Sequence, residues 1–83
     1  MQKIRPDMNI GSNIQKARYN CRLTQDEVVA KLQLMGLNLS RSTYAKIETN
    51  RINIRISELI ALKAILQIDF NDFFEGLDIE TNN

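Results

Sequence analysis

Leu23-Thr24-Gln25-Asp26-Glu27-Val28-Val29 and Leu39-Ser40-Arg41-Ser42-Thr43-Tyr44-Ala45-Lys46-Ile47-Glu48-Thr49-Asn50 each read as the start of a helix. In the first, a Thr24 hydroxyl and a Glu27 carboxylate three positions on can each satisfy the other's backbone N–H, a capping box. Val28, Leu32 and Met35 then recur at helical spacing as an inward stripe with Val29 beside it, and Gly36 supplies the expected left-handed stop. In the second, Ser40 is the cap of a helix running to about Thr49. At 100° per residue Tyr44 and Ile47 point one way, while Arg41, Ser42, Ala45, Lys46 and Thr49 share an opposite arc that is polar and basic with one small residue at its centre. Asn50 follows, a residue that tolerates the left-handed turn better than most.

The same period extends in both directions. Upstream, Ile10, Ile14, Ala17 and Cys21 form one stripe of a helix near 9–21, with Asn9 as its cap. Downstream, 56–67 is apolar nearly all round (Ile56, Leu59, Ile60, Leu62, Ile65, Leu66), as befits a central core helix or an oligomer interface. Asp69-Phe70-Asn71-Asp72-Phe73-Phe74 makes a short fifth helix whose aromatics can lid the core. No stretch alternates as a strand would, so the expected fold is all-α, a compact five-helix domain over 9–75. An N-terminal leader or arm (1–8) precedes it, able to be an arm, an edge strand or disordered. A polar C-terminal tail (76–83), frayed at its end, follows.

Composition removes several chemistries. The 83 residues hold no His, so imidazole catalysis and His-ligated metals are absent. A single Cys, Cys21, closes no disulfide within the chain and is most simply a small buried hydrophobe. The three glycines, Gly11, Gly36 and Gly76, lie too far apart for a phosphate loop. The expectation is no enzyme, no cofactor and no metal. No apolar run approaches a membrane span and there is no secretory leader, so a cytoplasmic protein is expected.

Net charge is only +1, but it is unevenly distributed. Ten of the eleven basic residues lie at or before Arg55, with four of the ten acids; beyond it Lys63 alone faces the other six acids. One surface turned to a polyanion and another turned elsewhere would produce this split, and so would chance clustering on a solvated surface.

Two capped helices, the second with a polar outward arc, followed by Leu- and Ile-rich helices, are the parts of a helix-turn-helix. The sequence resembles the lambda-repressor-like (Cro/C1, Xre-type) helix-turn-helix family of DNA-binding regulators from Ile10 to Phe74. The matching residues are Ile10-Gly11, Ile14, Arg18, Leu23-Thr24-Gln25-Asp26-Glu27, Leu39-Ser40-Arg41-Ser42-Thr43 and Ile47-Glu48-Thr49-Asn50-Arg51. Leu59-Ile60-Ala61-Leu62, Leu66 and Ile68-Asp69-Phe70-Asn71-Asp72-Phe73-Phe74 match the family's tail. Four features depart from its pattern. Gln33 to Leu39 replaces a turn of about two residues, as in a variant with an extended second helix. Val29 stands where a small Ala is usual, Asn50 where Gly is usual, and Lys63 within the inward arc of the fourth helix, where its stem would snorkel to water or its charge be paired at an interface.

The resemblance implies that the third helix enters the major groove of double-stranded DNA. Arg41 and Ser42 then lead the reading face. Arg41 would bind guanine O6 and N7 bidentately, Lys46 would meet guanine or phosphate, and Ala45 would give room or touch a thymine methyl. Gln25 would hold a phosphate and brace the helix; Thr49, Asn50 and Arg51 would meet phosphate, with Arg55 a weaker candidate. Arg18 and Glu48 would pair in a buried salt bridge, a structural role, and Tyr44 would be core. The implied partners are a palindromic operator and a second copy of the chain. The copy would be joined through helices four and five with Ile65, Phe70, Phe73 and Leu77 as candidates. The implied function is transcriptional regulation, repression above all, at the nucleoid. The alternative is a protein-interaction module, an antitoxin or a regulator's partner subunit, using the acidic C-terminal half.

Overall fold

The computed structural model describes residues 7–78 together with the backbone of Lys3 and Ile4. The rest of the leader, and the end of the tail expected to fray, lie outside the described residues. Five helices appear in order: α1 (Gly11–Asn20), α2 (Gln25–Leu34), α3 (Arg41–Glu48), α4 (Ile56–Leu66) and α5 (Phe70–Phe73). The domain is thus small and mostly helical. It also carries one strand pair that the all-α expectation omitted. β1 (Lys3–Ile4) lies antiparallel to β2 (Ile54–Arg55), with Lys3 opposite Arg55 and Ile4 opposite Ile54. Strands of two residues are too short for alternation to register in sequence. Of the three possibilities for the leader, edge strand is the one realised at these positions.

Helices α1 to α3 each start where a side chain accepts an orphan N–H. Asn9 Oδ1 accepts from Ser12 N–H at 3.2 Å, although helical geometry begins only at Ile10 and Gly11. Thr24 Oγ1 accepts from Glu27 N–H at 3.1 Å while Glu27 Oε1 accepts from Thr24 N–H at 2.9 Å, which completes the capping box. Hydrogen bonding from Thr24 to the carboxylate, its backbone N–H first and its side chain second, holds the Glu27 carboxyl below its ordinary range. Ser40 Oγ accepts from Thr43 N–H at 3.1 Å.

The ends of α1 to α3 share one device. After each helix a residue in the left-handed region lets two N–H groups reach back to the last carbonyls. Arg22 (φ 57°), Gly36 (φ 86°) and Asn50 (φ 59°) hold these positions. At α2 the Gly36 N–H donates to Gln33 O and the Leu37 N–H to Leu32 O, both at 3.0 Å. That turn brings Leu37 against the core and leaves Met35 out. Met35, placed on the inward stripe by spacing alone, is exposed because the helix has already ended at Leu34.

Buried residues from every helix and β2 form one core. Ile14, Val28, Leu32, Tyr44, Ile54, Leu62, Leu66 and Phe73 are its fully enclosed members. Phe73 therefore cannot serve a dimer surface as expected; it is the aromatic that lids the core, while Phe70 and Phe74 stay exposed. Helix α4 is core on one side only. Leu59, Ala61, Leu62 and Leu66 are buried, whereas Ile56 and Ile60 are exposed. Lys63 places its ammonium 5.3 Å from the centre of the Phe70 ring, a cation–π contact rather than full escape to water. Cys21 is half-buried, not enclosed, and its thiol donates to Leu66 O at 3.0 Å.

Candidate functional site

The geometry of α3 is set from its C-terminal half. Glu48 is buried and accepts from three directions. Arg18 of α1 donates through Nε to Oε2 at 2.6 Å and through Nη2 to Oε1 at 3.0 Å; Gln25 of α2 donates through Nε2 to Oε1 at 3.1 Å. Arg18 Nη1 meanwhile donates to Leu23 O at 2.9 Å, and the guanidinium lies 4.6 Å from the centre of the Tyr19 ring. One carboxylate thus ties three helices together. Only 7% of the Arg18 side chain and 1% of that of Glu48 is accessible, so the pair depends on its internal partners.

The titration of these groups follows from that geometry. Burial pushes the Glu48 carboxyl up, but Arg18 first, then the Tyr44 hydroxyl beside it and the Gln25 amide, outweigh it and hold it below the ordinary range. The Glu48 carboxylate correspondingly raises Arg18. Burial first, and then Glu48 beside it, push the Tyr44 phenol up; its hydroxyl is enclosed, and among the described residues none meets it at full hydrogen-bond geometry.

A second tie sits at the end of α3. The Asn50 amide accepts through Oδ1 from Ile10 N–H at 3.2 Å and Gly11 N–H at 3.4 Å, and donates to Met8 O at 3.2 Å. Here α1 starts directly against α3. A Cβ on Gly11 would lie 2.5 Å from the carbonyl oxygens of both Ile47 and Glu48, so only glycine permits the approach.

With Tyr44, Ile47 and Glu48 inward, α3 presents the opposite face. Arg41, Ser42, Lys46 and Thr49 are exposed and Ala45 is half-buried between them. Arg51, also exposed, folds back so that Nε donates to Thr49 Oγ1 at 2.8 Å. The Ser42 hydroxyl lies 3.2 Å from that of Ser40. Arg41 opens onto a cleft of about 650 Å³ that Arg18, Tyr19, Arg22, Gln25 and Asp26 also line. The structure therefore brings Arg41, Ser42, Ala45, Lys46, Thr49 and Arg51 onto one helix and its exit, with Gln25 beside them.

Two of the sequence-derived phosphate candidates are occupied inside the protein. The Gln25 amide donates to Glu48 of α3, and the Asn50 amide bonds Met8, Ile10 and Gly11 at the start of α1. Arg55 stands elsewhere, at the residue before α4, where its backbone N–H donates to Glu58 Oε1 at 2.8 Å, and it lines a recess with Gly36, Leu39, Thr43 and Glu58. Sequence reasoning passed over Arg22 and Asp26, which share the Arg41 cleft. Arg22 stands two residues before the Thr24 cap in the left-handed region (φ 57°), a conformation that favours glycine and that an arginine in the sequence does not announce.

Among the described residues no helix is long and apolar enough to cross a membrane, and no group of three or more Cys, Asp or Glu is arranged to hold a metal ion. No family model matches the chain, and a search of curated proteins finds no match either.

Proposed function

We propose that this chain is a sequence-specific double-stranded DNA-binding transcriptional regulator, a repressor of lambda-repressor-like helix-turn-helix type. In this reading α2 and α3 are the helix pair, and α3 reads the major groove with Arg41, Ser42, Ala45 and Lys46. The observation that carries the proposal is the division of α3 into two faces. One is anchored to α1 and α2 through a buried carboxylate, and the other is exposed, basic and small at its centre. Thr49 and Arg51 meet phosphate at the helix exit, which fixes register without reading bases.

One recognition helix spans few base pairs, so the proposal includes a homodimer on two half-sites about 34 Å apart. Its surface draws on Ile56 and Ile60, one turn apart on the exposed side of α4, with the exposed Phe70 and Phe74; half-buried Ile65 lies on the other flank of α4 and packs, like Leu77, against the core. That same face, next to the acidic end of the chain, supports the second reading, in which the domain is an interaction module for another protein.

Selection from a randomised duplex pool, followed by fluorescence anisotropy across a salt series, tests the proposal. The expected result is a palindromic site whose affinity falls with salt by a slope of about 0.9 per phosphate neutralised. Arg41→Ala then loses preference at one base pair per half-site. Weak, non-specific binding by wild type and variant alike refutes the DNA reading and leaves the interaction module.

A further inference from the structure

The exposed end of α3 holds one ion pair that stability does not account for. Arg41, the first residue of α3, places Nε 3.4 Å from Oδ1 of Asp26, the second residue of α2. Both side chains are mostly accessible, 66% and 77%, and such a pair contributes little to folding in water. Its chemistry is more specific than its strength. A guanidinium recognises guanine O6 and N7 through two parallel N–H groups. The shortest approach to the carboxylate runs through Nε, the inner nitrogen of the fork, and is an ion pair rather than an aligned hydrogen bond.

We propose that Asp26 is a positioning residue for Arg41: its carboxylate holds the guanidinium by Nε, so that the two terminal amino groups meet a base edge already oriented. This rests on the DNA reading given above and adds to it a determinant of specificity lying on α2, outside the reading helix. Two consequences follow. Free in solution, a long arginine samples many rotamers, and holding one removes part of the ordering cost of the bidentate contact. In the groove, where water is displaced, the same pair strengthens as the local dielectric falls. Asp26 also carries a negative charge toward a polyanion, so it lowers affinity for every duplex while sharpening the choice among them. Specificity here is bought at some cost in affinity.

The test uses the selected operator and its single-base variants, with wild type, Asp26→Ala, Asp26→Asn and Arg41→Ala compared by equilibrium anisotropy. The expected result is that Asp26→Ala reduces the guanine preference about three- to tenfold, within the range a bidentate arginine supplies. The reduction occurs at the same base pair where Arg41→Ala abolishes the preference. Affinity for non-specific duplex rises at the same time. Asp26→Asn, which keeps an acceptor for Nε but no charge, falls between. Thermal melts run alongside separate any loss of the favourable acidic charge at the start of α2, which moves stability but not base preference. If Asp26→Ala binds all duplexes more tightly with the preference unchanged, Asp26 is only a repulsive charge and the proposal is overturned while the DNA reading stands. If wild type itself shows no sequence preference, the DNA reading fails and takes the proposal with it.

Discussion

Replacing Arg18 with Met leaves Glu48 in the core with a single remaining donor, the Gln25 amide at 3.1 Å. Wild-type Glu48 receives two bonds from the guanidinium, and 99% of its side chain is withdrawn from water, as its 1% accessibility records. Breaking one partner of such a buried pair costs about 3–5 kcal/mol. A domain of this length holds on the order of 4–12 kcal/mol in all, so the variant should fold only marginally. Glu48→Leu strands the guanidinium instead, with Leu23 O as its one remaining acceptor, and should cost a similar amount. Arg18→Met/Glu48→Leu strands nothing, so it should recover much of the loss, with a coupling of about 2 kcal/mol or more.

The two single variants should part company with pH. A stranded carboxylate can escape its burial by taking a proton; a guanidinium cannot. In Arg18→Met the folded-state value of Glu48 therefore rises above its unfolded value near 4.5. A raised folded value contributes stability that is present at low pH and lost as pH climbs. In wild type the value is depressed, so its contribution is present above 4.5 and lost as pH falls below that. Both effects narrow the gap between Arg18→Met and wild type on acidification. Between pH 7 and 5 the gap should shrink by up to about 1.4 kcal/mol per unit. Glu48→Leu should show no corresponding recovery of its own over that interval. Urea unfolding of the four proteins at pH 7 and pH 5 measures all of this. A cycle additive to within about 0.5 kcal/mol, with a gap independent of pH, would refute the claim that burial makes this pair matter.

Two further substitutions follow from the backbone. Gly11→Ala should destabilise by about 2–3 kcal/mol or more, because its Cβ meets two carbonyl oxygens of α3 at 2.5 Å and backbone cannot step aside; an unchanged urea midpoint would mean the helices do not approach so closely. Arg22→Gly should stabilise by about 0.5–1 kcal/mol, since arginine at φ 57° carries strain that glycine lacks, less the greater freedom of glycine when unfolded. Asn50→Gly at a matching φ should go the other way by about 1–2 kcal/mol, through loss of the amide's bonds to Ile10, Gly11 and Met8; equal signs for the two would show that the Asn50 amide does not tie α1 to α3.

What the sequence made legible was whatever is encoded over a few residues. The capping box at Thr24 and Glu27, the Ser40 cap and the left-handed exits at Gly36 and Asn50 each depend on neighbours within three or four positions. The inward faces of α1 and α3 could be phased from their own spacing. The misplacements have a common cause. Periodicity gives a helix its phase but not its last residue, so Met35 fell on the right stripe one residue beyond the end of α2. Phe70, Phe73 and Phe74 sit on a helix of four residues, too short for spacing to choose which ring goes inward. The reach of Asn50 to residues some forty positions away has no local trace. Nor has the thirty-residue separation of Arg18 and Glu48, a pairing that came from resemblance and not from pattern.

Where the restraints on α3 fall bears on how its exposed face can be used and tested. Its C-terminal half is fixed three ways, by the Glu48 bonds to α1 and α2, by the Gly11 contact and by the Asn50 amide. Its first turn is held by less, the Ser40 cap and the burial of Tyr44, and it follows the long connection 35–40. The residues proposed to read bases thus lie mostly toward the end with fewer fixed partners. Arg41, Ser42 and Lys46 are exposed and supply no buried side-chain hydrogen bond among the described residues. Surface changes of this kind usually move stability by no more than about 0.5 kcal/mol. Loss of binding on Arg41→Ala or Lys46→Ala therefore cannot be attributed to unfolding, whereas loss on Arg18→Met could be. An assay that finds binding abolished by the buried pair but untouched by the exposed residues would place the interaction on some other face of the domain. The opposite pattern would put it on α3.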